Sequence, residues 1–298
     1  MQKNKIKRTV SILIVSLLIG YSCSIDEGGT TGPEGAKPVT EGIEARIDSA
    51  PWKAFNYSAY LCGKQITLTG LDSANGNITI TLNDTLAGKT YDLNTTSAHW
   101  ATYMPNNSTD LYTTYAHPLA GGMVFLSAFN KDSMTISGSF IFYAYNLRTK
   151  KTITISEGDF SNISLTSETL PASGIRAYVG DKLWTTSTAH GTLTDENITI
   201  QGENAKGEKL FIKICSRLKE NYILNEQTCH VASYLASSTD TIPYLTNSSP
   251  TVNGKVVISD ITADSLIRGS FILSVYRPND NKNIQITQGV FHGIKLHR

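Results

Sequence analysis

Apolar residues recur at every second position over long stretches of this chain. Ile136, Gly138, Phe140, Phe142 and Ala144 alternate with mostly polar neighbours, and Ile267, Gly269, Phe271, Leu273 and Val275 repeat the pattern. Ile78, Ile80, Leu82 and Leu210, Ile212, Ile214 form a second alternating pair. A period of two turns one face of an extended strand to a core and the other to solvent. Turn-forming sequence precedes the second pair in each case, Ala74-Asn75-Gly76-Asn77 and Ala205-Lys206-Gly207-Glu208. No segment carries the 3.6-residue stripe of an amphipathic helix. The pattern predicts an all-β protein of antiparallel strands, folded on themselves as β-sandwich or barrel-like domains with roughly eight or nine strands each.

The alternation is also duplicated. Asp48-Ser49-Ala50-Pro51-Trp52 returns as Gly180-Asp181-Lys182-Leu183-Trp184, and Ile66-Thr67-Leu68-Thr69-Gly70 as Ile198-Thr199-Ile200-Gln201-Gly202. His99-Trp100-Ala101-Thr102-Tyr103 returns as His230-Val231-Ala232-Ser233-Tyr234, Tyr91 and Leu93 as Tyr222 and Leu224. Gly138-Ser139-Phe140 returns as Gly269-Ser270-Phe271, and Gly158, Phe160, Ile163 and Leu165 as Gly289, Phe291, Ile294 and Leu296. The offset stays at 131 or 132 residues, which marks two tandem copies of one domain. The expected divisions are residues 1–22, a tether over 23–42, a first β domain over 43–166, a linker over 167–174 and a second β domain over 175–298. The linker is short, so the domains should lie close together. Gly28 to Gly42 is rich in Gly, Thr and Pro and reads as a flexible tether.

The first segment has its own logic. Lys3, Lys5, Lys7 and Arg8 precede an uncharged apolar run from Thr9 to Gly20, then Tyr21-Ser22-Cys23. That run is about a dozen residues, short of the ~20 that span a bilayer. The arrangement resembles a bacterial lipoprotein signal peptide, with the small Ser22 directly before the lipidated Cys23. The resemblance implies removal of residues 1–22 and a membrane tether at Cys23, since two or more acyl chains hold a protein firmly. Asp26-Glu27 resembles the acidic export signal of surface lipoproteins in Bacteroidota and implies an outer-membrane, surface-exposed location in the cell envelope.

Removing the four leading cations from the chain's 26 basic residues leaves 22 against 25 acidic ones, a net of −3. No basic run follows Arg8, so nucleic acid is not an expected partner. Cys215 and Cys229 are spaced to close a short loop across a hairpin as a disulfide, which an exported compartment permits. Cys62 then remains as a small buried residue.

Six Asp-(Ser/Thr)-apolar triplets place hydroxyls at Ser49, Ser73, Thr85, Ser133, Thr241 and Ser265. They resemble the acceptors of the general O-glycosylation system of Bacteroidota; ordinary turn chemistry also favours Asp beside Ser or Thr. Two long loops, Pro105 to Ala120 and Leu235 to Asn253, are candidate ligand-contact segments through Tyr112, Tyr115, His117 and Tyr244. His99 and His230 recur without nearby metal-ligand partners and read as structural, and Trp52 and Trp184 as core residues. No metal or cofactor is expected. There is no Gly-x-Ser-x-Gly elbow, His-Glu-x-x-His or phosphate-cradling Gly loop.

The polar turn and Trp near each domain start, the short alternating strands and the terminal Gly-x-Phe-x-x-Ile strand resemble small β-rich lipoprotein domains of unknown function in Bacteroidota. The expectation is a non-catalytic, lipid-anchored cell-envelope protein serving adhesion, assembly or ligand presentation, its partners the membrane and a glycan or envelope protein. The alternatives are a glycan-binding lipoprotein of a nutrient-uptake system and, more weakly, a glycan-processing hydrolase.

Overall fold

A computed structural model describes residues 41–74, 76–83, 85–108, 110–168 and 172–298. Cys23 lies outside the described residues, as does Asp84 of one triplet. The first domain runs β1 (Gly42–Ile47), β2 (Ala50–Lys53), β3 (Asn56–Cys62), β4 (Gln65–Asp72), β5 (Gly76–Leu82), β6 (Lys89–Leu93), β7 (Trp100–Met104), β8 (Tyr112–Thr113), β9 (Gly121–Asn130), β10 (Thr135–Asn146) and β11 (Lys151–Glu168). The second repeats it with β12 (Gly174–Val179), β13 (Lys182–Thr185), β14 (Thr188–Leu193), β15 (Ile198–Glu203), β16 (Lys209–Ile214), β17 (Asn221–Leu224), β18 (Val231–Leu235), β19 (Tyr244–Leu245), β20 (Gly254–Ile261), β21 (Leu266–Arg277) and β22 (Lys282–His297). No helix occurs among the described residues.

Each domain is one eleven-stranded sheet, in the order β2-β1-β11-β3-β4-β5-β7-β8-β10-β9-β6 and, element for element, β13-β12-β22-β14-β15-β16-β18-β19-β21-β20-β17. Additional β10–β11 and β21–β22 pairings close each sheet into a ring. The result joins both expected architectures. A wall of β2-β1-β11-β10-β9-β6 faces a wall of β3-β4-β5-β7-β8, and hydrogen bonds continue around two corners. One corner is parallel, Leu165↔Ala59 through Glu168↔Cys62; the other is the single pair Tyr145↔Thr113. Closure leaves only short strands, β2 and β6 in the first domain and β13 and β17 in the second, at the ends of the sheets.

Two sequence expectations change. Eleven strands per domain replace eight or nine, because two-residue β8 and β19 and four-residue β2 and β13 are too short to show a period. The linker is also shorter than 167–174, since Ser167 and Glu168 still pair with β3.

The β10–β11 hairpin is the spine of the first domain. Phe140 lies opposite Gly158 and Gly138 opposite Phe160, so each ring covers the glycine across from it. A Cβ on Gly158 would stand 2.4 Å from the Phe140 ring; one on Gly138 would stand 2.5 Å from the Phe160 ring and 2.2 Å from the Phe125 carbonyl oxygen. The rings stack at 6.4 Å between centroids. Gly269, Phe271, Gly289 and Phe291 reproduce the arrangement, again at 6.4 Å. Register shifts flank the motif on both sides, bending the hairpin so that it can serve both walls.

The two domains pack as one compact unit. The outer face of β20 and β21 covers part of the outer face of β4, β5 and β7. Trp100 and Tyr115 of the first domain form a separate buried apolar cluster with Val257 and Ile272 of the second. Polar contacts ring it. Ser270 Oγ donates to Asn83 Oδ1 at 3.1 Å and Asn221 Nδ2 to the Thr96 carbonyl at 2.5 Å. Lys255 is fully buried there, its Nζ donating to the Asn94 carbonyl at 2.9 Å and lying 5.8 Å from the Tyr115 ring centroid. Burial lowers its pKa to about 7.

Two outcomes follow. Gly138→Ala should destabilise the protein by about 1–3 kcal/mol or more, because backbone and ring both obstruct the new methyl; chemical denaturation checks this, and an unchanged midpoint would contradict the glycine–phenylalanine packing. Unfolding leaves Lys255 charged up to its ordinary pKa, whereas the folded protein releases the proton from about pH 7. The unfolded state thus binds more protons between pH 7 and 10, and this residue's contribution to stability rises across that window. Melting of the parent and Lys255→Met over pH 7–10 should show the parent gaining on the variant by on the order of a few kcal/mol; parallel curves would refute the shift.

Candidate functional site

The wall β3-β4-β5-β7-β8 of the first domain turns its outer face to the second domain, which covers only part of it. A row of hydroxyls runs across it, half-exposed at Ser58, Thr69 and Thr79 and buried at Thr102 and Thr113. Ser58 pairs with Thr69, Thr69 with Thr79, Thr79 with Thr102 and Thr102 with Thr113. Directly opposed residues point the same way, so five hydroxyl side chains cross five strands at the strand spacing of about 4.8 Å. Thr69 Oγ1 and Thr79 Oγ1 lie 3.3 Å apart. The corresponding row of the second domain, His190, Gln201, Phe211, Ser233 and Leu245, retains one hydroxyl.

The row floors a cleft between the domains. Its larger lobe, about 1060 Å³, lies over Ser58, Thr69, Thr79 and Thr102 and is walled opposite by Gln285, Thr287 and Gln288 of β22. A smaller lobe of about 330 Å³ takes in Thr113, Asn146, Asn253 and Tyr276, and Leu111, Asn283 and Gln285 border both. Such volumes suit small organic ligands. Amides and hydroxyls supply most of the polar groups, with Asp181, Lys182 and Glu208 also lining the larger lobe. Gln285 Nε2 donates to Ser274 Oγ at 3.1 Å, and Ser274 Oγ to Asn283 Oδ1 at 3.1 Å. Gln285 Oε1 and Thr113 Oγ1 are buried with no hydrogen-bond partner among the described residues. Buried polar atoms are nearly always satisfied, so these two mark a place where water or a ligand completes the network. At the rim, Arg148 Nε donates to Asp110 Oδ1 at 2.5 Å, and the forked pair holds the guanidinium above its usual pKa.

The tyrosines expected to contact ligand lie elsewhere. Tyr112 and Tyr244 are buried in the domain cores and Tyr115 in the interdomain cluster. They sit on or beside β8 and β19, the short strands that carry each loop back into its sheet, so the rings of Tyr112 and Tyr244 fill the cores and that of Tyr115 the interdomain cluster. Tyr244 donates to Asp280 Oδ2 at 3.1 Å while Arg277 covers its ring at 4.1 Å. His117 stacks on Tyr145 at 4.4 Å, and its Nδ1 accepts from the Leu119 amide.

Cys215 and Cys229 are neighbours, but the structure holds them as free thiols, with Cys215 Sγ donating to the Cys229 carbonyl at 3.0 Å. Ligand atoms of Cys215, Cys229 and His230 lie within 4.8 Å of one another, a spacing that could hold a metal ion. His230 Nδ1, however, already accepts the Cys215 amide at 3.0 Å, as His99 Nδ1 accepts the Asn83 amide at 3.0 Å. Burial lowers the His230 pKa, which suits this acceptor role. Cys62 is buried. Trp52 and Trp184 are core residues, with Trp52 Nε1 donating to the Gly76 carbonyl at 3.2 Å.

Of the triplet hydroxyls, Ser49, Ser73, Ser133 and Thr241 are exposed. Thr85 and Ser265 are half-buried, and Thr85 Oγ1 donates to the Lys64 carbonyl at 3.3 Å.

The hydroxyl row was missed in the sequence. Its signal was the polar half of the period-two pattern, with threonine at Thr69, Thr79, Thr102 and Thr113, but strand register is needed to align them.

Neither a curated protein nor a solved structure matches the chain. A family described as a domain of unknown function, DUF6252, matches residues 40–164 and again 172–295. The chain therefore belongs to that family and carries its domain twice in tandem.

Proposed function

We propose that this is a non-catalytic, lipid-anchored cell-envelope protein, exposed on an outer membrane, that presents an interdomain cleft to a neutral polyhydroxyl ligand of the glycan class. The observation that carries the reading is the hydroxyl row from Ser58 to Thr113, faced by the amides of Asn283, Gln285 and Gln288. Hydroxyls and amides both donate and accept, which matches the hydroxyl groups of a sugar without requiring charge. Gln285 Oε1 and Thr113 Oγ1 supply acceptors that a ligand hydroxyl would satisfy. Asp110, the carboxylate of the smaller lobe, is committed to Arg148, while Asp181, Lys182 and Glu208 line the larger lobe. The anchor rests on the Cys23 motif. The exposed positions of Ser49, Ser73, Ser133 and Thr241 suit the glycan-acceptor reading of their triplets.

A glycan-array screen of the purified chain should give a defined set of hits. Thr79→Val and Thr102→Val, which exchange a hydroxyl for a methyl of similar size, should each weaken the best hit by about 5–10-fold, the effect of roughly 1 kcal/mol per lost hydrogen bond. A blank array, or variants binding like the parent, would overturn the reading. Cys23→Ala should move the protein from the membrane to the soluble fraction; retention on the membrane would sink the anchor.

A further inference from the structure

The second domain buries the outer face of β20 and β21 against the first. Lys255, Val257, Ser270, Ile272 and Ser274 are at most 4% exposed there. The same face of the first domain, on β9 and β10, lies open. Pairing identifies the counterparts. Val257 opposes Ser270 as Phe125 opposes Ser139, and Lys255 opposes Ile272 as Met123 opposes Ile141. Phe125 is 42% exposed, Ile141 39%, Met123 48% and Tyr143, the counterpart of Ser274, 46%. Four large apolar side chains thus stand in solvent on a face whose twin is an interface.

The surface that receives this face is duplicated too. In the first domain it is the row Thr67, Thr81, Trp100 with Tyr115 beside it. In the second it is the row Thr199, Lys213, Val231. Thr246 there accepts the Ala232 amide as Thr114 accepts the Ala101 amide, which makes Asn247 the counterpart of Tyr115. Asn247 is exposed and Val231 half-exposed.

Sizes are exchanged between the two sets. Inside the chain, the bulky receivers Trp100 and Tyr115 meet Val257 and Ile272. In the open pair Val231 and Asn247 stand where Trp100 and Tyr115 do and Phe125 where Val257 does, while Ile141 matches Ile272 and Lys213 replaces Thr81. A bulky face against its own copy would crowd large on large, whereas this face against the open receiver of another chain sets large Phe125 on small Val231, as small Val257 sits on large Trp100.

We infer that the protein assembles head to tail with copies of itself, the β9–β10 face of one chain seated on the β16–β18 face of the next in the manner of its own interdomain contact. Each chain keeps one insert and one receiver free, so the contact is heterologous and propagates until a ring closes or a filament ends.

Sedimentation velocity of the purified full chain tests this. Its mass should rise with concentration in whole-chain steps beyond the dimer. Phe125→Lys and Val231→Glu should each hold the chain as a monomer to concentrations at least ~30-fold higher, the effect of losing one central anchor. Mixed in equal amounts, the two variants should pair once, the intact receiver of one taking the intact insert of the other, and stop at a two-chain particle. Ile141→Lys should behave as Phe125→Lys; all the substituted residues are at least partly exposed, and an unchanged far-ultraviolet spectrum checks the fold. A monomeric parent at every concentration would overturn the inference. So would a mixture that stays monomeric, or assembly abolished by Phe125→Lys and untouched by Val231→Glu, the mark of the patch pairing with itself.

Discussion

Two long strands, β10 and β11, must supply hydrogen bonds to both walls of the domain, and that is possible only where they bend. The bend is built from a reciprocal exchange. Gly138 makes room for Phe160 and Gly158 makes room for Phe140. A side chain at either glycine would push a ring out of the core; a smaller residue at either phenylalanine would leave a void costing about 3–5 kcal/mol. With the rings seated, β11 continues to its parallel pairing with β3, β10 reaches β8, and the sheet closes. The second domain preserves the four residues and the geometry, while much of its outer surface differs.

That divergence gives the duplication its use. The two copies share a core and a ring of strands but expose different outer faces. On β3, β4, β5, β7 and β8 the first copy carries hydroxyls and a Trp100 platform, where the second carries mixed residues and Val231. On β20 and β21 the second copy carries slender residues and the buried Lys255, where the first has Phe125, Met123 and Tyr143. One copy has become a floor and the other a cover. The cleft exists because the cover spans only part of the floor, leaving Ser58, Thr69 and Thr79 partly exposed at one end of the row while Thr102 and Thr113 are buried at the other. A cleft held by a packed interface needs little reordering when a ligand enters, which limits the entropic cost of binding.

Much of the architecture was legible because it rests on local pattern. Alternation at Ile136 to Ala144 identified an inward face, and the 131–132 residue offset identified the repeat. Both His99 and His230 accept a hydrogen bond from a backbone amide, but Cys215 and Cys229 stand at ligand spacing from His230, partners not expected from the sequence. The site was less legible. Tyr112, Tyr115 and Tyr244 sit in loop-like sequence, and only the two-residue strands β8 and β19 carry them inward. Thr69, Thr79 and Thr102 read individually as ordinary strand residues; their alignment follows from register, a non-local property. The interdomain contact was hidden for a related reason. Val257 and Ile272 are unremarkable in a strand until both faces of β20 and β21 prove to be buried.

The cleft, the buried Lys255 and the open counterpart of the interface all derive from the contact that makes the two domains one body. Differential scanning calorimetry of the chain measures it directly. A single transition whose calorimetric and van't Hoff enthalpies agree is the expected result, because unseating Val257 and Ile272 from Trp100 should unfold both domains together. Two resolved transitions, each carrying about half the enthalpy, would show that the domains melt independently and would contradict the account.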